Sequence, residues 1–61
     1  MTPEVHSQLY QARRLALQAA SMINAAISDT TRQIESSELS QMNDLLTEAL
    51  NHTSTAMRLI Q

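Results

Sequence analysis

The chain has no cysteine, no glycine, no tryptophan and no phenylalanine, and only one proline and one tyrosine. Without cysteine there are no disulfides and no thiolate metal sites. The two histidines cannot by themselves supply the donors of a structural zinc. A sheet protein draws on β-branched and aromatic runs separated by glycine-rich turns, and this composition offers neither. Lysine is also absent, and four arginines stand against six acidic residues for a net charge of −2. That balance gives no general attraction to nucleic acid or to an anionic membrane surface. No apolar run approaches the ~18 residues of a membrane span. No basic segment followed by an apolar one marks a secretory signal, so a cytoplasmic location is expected. Asn51-His52-Thr53 fits the glycosylation pattern, but without a secretory route the match carries nothing.

What is abundant is Ala, Leu, Gln, Met and Glu, all of them good helix formers. At 61 residues the chain is expected to form one domain over residues 1–61. A chain of this size buries only about 60% of the surface it exposes when unfolded, and it usually needs a disulfide, a metal or a partner. With the first two excluded, oligomerisation is the remaining route.

Local signals divide the chain into two helices. Thr2 can cap the first, and Pro3 suits the first helical position, where its missing N–H costs nothing. Glu4 then meets the positive end of the helix dipole. The helical pattern runs to Ser28. From there to Glu38 the chain holds one apolar residue, Ile34, among side chains that compete with helix by bonding their own backbone. Ser36 or Ser37 is the expected cap of the second helix, with Glu38 in its first turn and Arg58 in its last. The expected fold is all-α: an antiparallel hairpin of helices over about 3–28 and 37–60, dimerising into a four-helix bundle.

Apolar residues recur at alternating spacings of four and three along both helices. The first stripe is Val5, Leu9, Ala12, Ala16, Ala19, Ile23 and Ala26. The second is Leu39, Met42, Leu46, Ala49, Thr53, Ala56 and Ile60. They mirror each other about the connection, so Val5 would face Ile60 and Ala26 would face Leu39. A single continuous helix would instead put Thr30, Gln33, Ser37 and Ser40 on the seam. Ala16 facing Ala49 and Ala12 facing Thr53 are small on both sides and allow a close approach. Thr53 is expected to bond a carbonyl one turn back.

A seam of alanines is thin, so the flanks carry the functional reading. One flank holds Leu15, Met22, Leu45 and Leu59, with His52 among them, and is expected to be the self-association face. The other holds Ala20, Ile27, Leu50 and Met57, with Leu17 and Tyr10 further round. Tyr10, Leu17, Ile27, Leu50 and Met57 are the expected partner-binding face, and the two assignments can be exchanged. Two apolar faces on so small a chain mark interfaces. The expectation is a non-enzymatic protein–protein interaction module: a homodimer that docks another protein as a regulator, inhibitor, adaptor or secretion co-chaperone.

Catalytic and metal chemistry find little support. Serines cluster in the connection while both histidines lie on the helices, so no activated nucleophile is spelled out. Glu48 with His52, and Asp44 with Glu48, sit four apart, which is at most half a metal site. No cofactor is expected. In size and hairpin architecture the chain resembles the plasmid-encoded Rop regulators, without a shared motif. The resemblance implies an RNA-binding four-helix bundle as the alternative function. Arg13 and Arg14 would meet phosphate and Tyr10 would stack. Ser40, Gln41 and Asp44 also match the Ser-Gln-x-x-Asp segment of a family of small helical-hairpin phosphatases. Asn43 stands where that family carries an apolar residue and the first helix has no counterpart, so no phosphatase activity is carried over.

Overall fold

The computed structural model describes residues 1–61 and contains two helices, α1 over Pro3–Ser28 and α2 over Ser36–Leu59, packed against each other. At 1.5 Å per residue, helices of 26 and 24 residues give a long, narrow hairpin. The Cα trace spans 46 × 16 × 12 Å, and its radius of gyration is 14.2 Å. A compact chain of this length would measure roughly 10.5 Å. The difference reflects two long helices lying side by side in a single layer.

Both ends of α1 follow from local chemistry. Thr2 is extended (φ −72°, ψ 156°), and its Oγ1 accepts from the Val5 N–H at 3.3 Å, with Pro3 opening the helix. The other end closes without glycine, because no residue takes a positive φ. Asp29 leaves the helix at φ −104° and ψ 82°, while its N–H still donates to the Ala25 carbonyl. Its carboxylate accepts from Thr31 Oγ1 at 2.8 Å, which turns the chain by a side-chain bond.

The cap of α2 departs from the expectation of Ser36 or Ser37. Glu35 holds the extended cap position and makes no side-chain cap bond; Ser36 and Ser37 already lie inside the helix. The Glu35 carbonyl instead accepts from the Glu38 and Leu39 N–H groups, and its carboxylate lies 3.5 Å from Ser37 Oγ, which donates to it. Arg32 holds the connection to the helix, donating to Glu38 Oε1 at 2.6 Å while its Nε lies 3.7 Å from Asp29. Bonding to Arg32 holds the Glu38 carboxyl below its ordinary range, and the Thr31 bond does the same for Asp29.

The seam is rotated relative to the stripes read from the sequence. Its core is Val5, Ala12, Leu15 and Ala19 from α1, and Met42, Ala49 and Ala56 from α2. Positions 5, 12, 19 and 42, 49, 56 belong to the expected stripes. The second row does not: it lies three residues after each of these rather than three before. On α1 that row is Gln8, Leu15 and Met22; on α2 it is Leu45, His52 and Leu59. Leu15 is 5% exposed, and Gln8, Met22, Leu45 and His52 are half-buried. The members dropped from the seam are Leu9, Ala16, Leu39, Leu46, Thr53 and Ile60, all exposed; Ile23 is half-buried. Both choices satisfy a 4-3 alternation, so spacing alone cannot tell them apart. Side-chain size does not decide it either, since the expected rows carried Leu9, Ile23, Leu39, Leu46 and Ile60. In the structure Leu15 is buried beside the alanines, with Met22 and Leu45 half-buried in the same row, and these fill the space that facing alanines leave between the helices. Thr53 makes the expected bond to the Ala49 carbonyl, at 3.0 Å, but from the surface.

Candidate functional site

Placing the second row in the seam reassigns both flanks. Leu15 is buried within the hairpin and Met22 and Leu45 are half-buried, so three of the four residues expected on a self-association face lie in the intramolecular seam. Leu59, the last residue of α2, is 48% exposed. His52 is engaged as well: its Nδ1–H donates to Gln8 Oε1 at 2.7 Å, a side-chain hydrogen bond between the two helices. That assignment puts the proton on Nδ1 and leaves Nε2 as the acceptor. Polar residues in this row are thus satisfied by each other, and no buried side-chain atom lacks a partner.

One apolar face remains, and it is the one left by the rotation. The residues three places before each buried alanine or methionine are Leu9 and Ala16 on α1, and Leu39, Leu46 and Thr53 on α2. Because the helices run in opposite directions, the same offset falls on the same side of the hairpin. Ile23 and Ile60 continue the two rows. Ala20 and Ile27, then Leu50 and Met57, extend them outward. Leu46 is 46% exposed, Leu50 64% and Ile27 68%. At the turn this face deepens into a groove of about 440 Å³, where Ile23 and Ile27 stand opposite Leu39 with Ile34 at the rim. The contrasting side is polar. The residues just before each buried position are Glu4, Gln11 and Gln18 on α1 and Gln41, Glu48 and Thr55 on α2. The hairpin therefore has one apolar face, where two were expected.

The expected partner face is split by the same geometry. Ile27, Leu50 and Met57 lie on the exposed apolar face. Tyr10 and Leu17 lie further round α1, lining a groove of about 360 Å³ with Arg13, Arg14, Gln18 and Ser21, and Tyr10 also borders the face through a shallower depression shared with Leu9, His6 and Arg13. Arg13 lies 5.9 Å from the centroid of the Tyr10 ring, and Arg14 bonds Gln11 Oε1 at 3.0 Å. Neither arginine meets a carboxylate. Leu9, Leu39, Leu46 and Ile60 are the face residues that a two-row reading assigns to the seam. Their signal was present in the sequence as a third apolar row per heptad, one more than a helix pair can bury.

No three His, Asp or Glu side chains come together as a metal cluster, and no helix is long and apolar enough to cross a membrane. Comparison with protein-family models, with curated proteins and with solved structures gives no match.

Proposed function

We propose that this chain is a non-enzymatic protein–protein interaction module that works by burying its one apolar face against the apolar surface of another helical protein. The observation that carries the reading is the unpartnered row of aliphatic side chains from Leu9, Ile23 and Ile27 across to Leu39, Leu46, Leu50 and Met57. An apolar patch of this extent on a small polar-backed hairpin is characteristic of an interface. Aliphatic anchors would supply the affinity, and the polar side chains bordering them would set specificity. Met57 is adaptable enough to repack against differing surfaces. A regulator, inhibitor, adaptor or secretion co-chaperone would all use such a face in the same way, and homodimerisation into a four-helix bundle is the form it would take alone.

The test is a comparison of two variants in a pull-down from the native host. Leu50→Asp, on the apolar face, should lose the partner that the unmodified chain retains. Gln18→Glu, on the polar side, should keep it. Equal recovery by both variants would remove the face from function. The second reading is RNA binding, favoured by the groove in which Tyr10 lies beside two arginines free of carboxylates. An RNA-binding groove should lose affinity steeply as salt rises, because each neutralised phosphate releases counterions. No binding at low salt removes this reading.

A further inference from the structure

We infer that in the free protein the occupant of this apolar face is a second copy of the chain, lying antiparallel to the first so that the turn of each copy covers the termini of the other. The inference rests on the reading of the face as an interface and names its occupant.

Area is the first argument. A globular monomer of 6.8 kDa exposes roughly 3,950 Å². The hairpin exposes 4681 Å², an excess of about 700 Å² over that scaling. Two copies closed to ordinary compactness would expose roughly 6,600 Å², about 2,800 Å² less than two separate hairpins. That falls within the roughly 2,000–5,000 Å² of obligate homodimers. Self-association on one face is also a closed arrangement, because a two-fold axis buries the same patch on both copies and leaves none over.

Charge chooses the orientation. Four of the six acids, Asp29, Glu35, Glu38 and Asp44, lie from the middle of the hairpin to its turn, and the one arginine among them, Arg32, is already tied to Asp29 and Glu38. The Gln8–His52 bond sets the register and places Glu48 level with Arg13, so the half that includes the termini holds Arg13, Arg14 and Arg58 against Glu4 and Glu48. In side-chain charge the half that includes the turn is therefore acidic, and the half that includes the termini carries a small positive excess. Antiparallel copies set the acidic half of each beside the arginines of the other. Parallel copies would gather both acidic halves at one end, where like charges repel within the ~10 Å screening length of dilute salt.

The unmodified chain tests the two-copy occupant, and its lack of cysteine allows a single spin label at Thr30→Cys in the turn to test the orientation. Sedimentation equilibrium should report twice the mass of one chain; a monomer or a larger assembly overturns the two-copy occupant. Electron–electron resonance between the two labels should give a separation approaching the 46 Å length of the hairpin. A separation under about 20 Å, the width of two helix layers, overturns the antiparallel arrangement. Leu50→Glu, at a side chain the hairpin seam does not use, should weaken dimerisation at least tenfold, and an unchanged dimer removes the apolar face as its site. A monomer in sedimentation together with loss of the host partner in Leu50→Asp would overturn this inference and leave the interaction reading standing. A face-dependent dimer with unchanged partner recovery would do the reverse.

Discussion

Replacing Ala19 with leucine is the most direct test of how the two helices meet. Ala19 is 0% exposed, and Leu15 and Met42 are buried in the same seam. No space is left for the added carbons, so the helices must separate or the new side chain must leave its preferred rotamers. Overpacking of this kind costs about 1–3 kcal/mol. A 61-residue chain holds roughly 3–9 kcal/mol in all, so the loss is a large fraction of its stability. In a domain of this size each kcal/mol moves the melting temperature by about 4–8 °C. Thermal unfolding followed by circular dichroism should therefore show a fall between roughly 4 °C and 24 °C. Ala16→Leu is the matched control. Ala16 is exposed in the hairpin and leucine is nearly as good a helix former as alanine, so at concentrations low enough to keep its apolar face unpaired the change should stay within about 0.5 kcal/mol. Both melts belong at two protein concentrations, since association stabilises by mass action. If Ala19→Leu melted with the unmodified chain, or Ala16→Leu proved the more damaging, the rotated seam would be wrong.

Other expectations follow from particular contacts. Gln8→Leu combined with His52→Leu should be at least as stable as the unmodified chain, because it replaces a half-buried polar pair by apolar side chains. Either single change should be worse than the double by about 0.5–1.5 kcal/mol of coupling, read from a four-way melting cycle. Asp29 and Glu38 have carboxyls lowered in the folded state, by the Thr31 and Arg32 bonds respectively. Their contribution is therefore in place above the ordinary carboxylate range and is lost as pH falls through the lowered folded values. Acid titration of the melting temperature should show this loss, and Glu38→Gln should flatten part of it. Thr2→Ala removes the acceptor of the Val5 N–H and should cost about 1 kcal/mol, seen first as faster amide exchange in the opening turn of α1.

Much of the fold was legible because it rests on local chemistry. Thr2-Pro3-Glu4 opens a helix, and Ser28 to Glu38 cannot continue one without placing polar side chains on the seam. The observed bounds of Pro3–Ser28 and Ser36–Leu59 lie within a residue of that reading. The α2 cap was not legible. Ser36, Ser37 and Glu35 are all polar, and the choice fell on Glu35 through its carbonyl, a backbone group that leaves no mark in the sequence. Nor was the seam's second row. Leu9 looks a better seam residue than Gln8, and Thr53 no worse than His52. Gln8 and His52 become acceptable only when they meet each other, and that pairing joins residues far apart in the chain.

Sequence by itself therefore determined the element types, the hairpin and the absence of disulfide or thiolate chemistry, since these depend on residue type and short-range spacing. Tertiary structure alone decided which two of three apolar rows close the hairpin. The helices rotate about their axes to fill the gaps beside their alanines with leucine and methionine, and that rotation consumes one flank. Two expected faces become one continuous apolar face, with Leu17 and Leu59 exposed outside it.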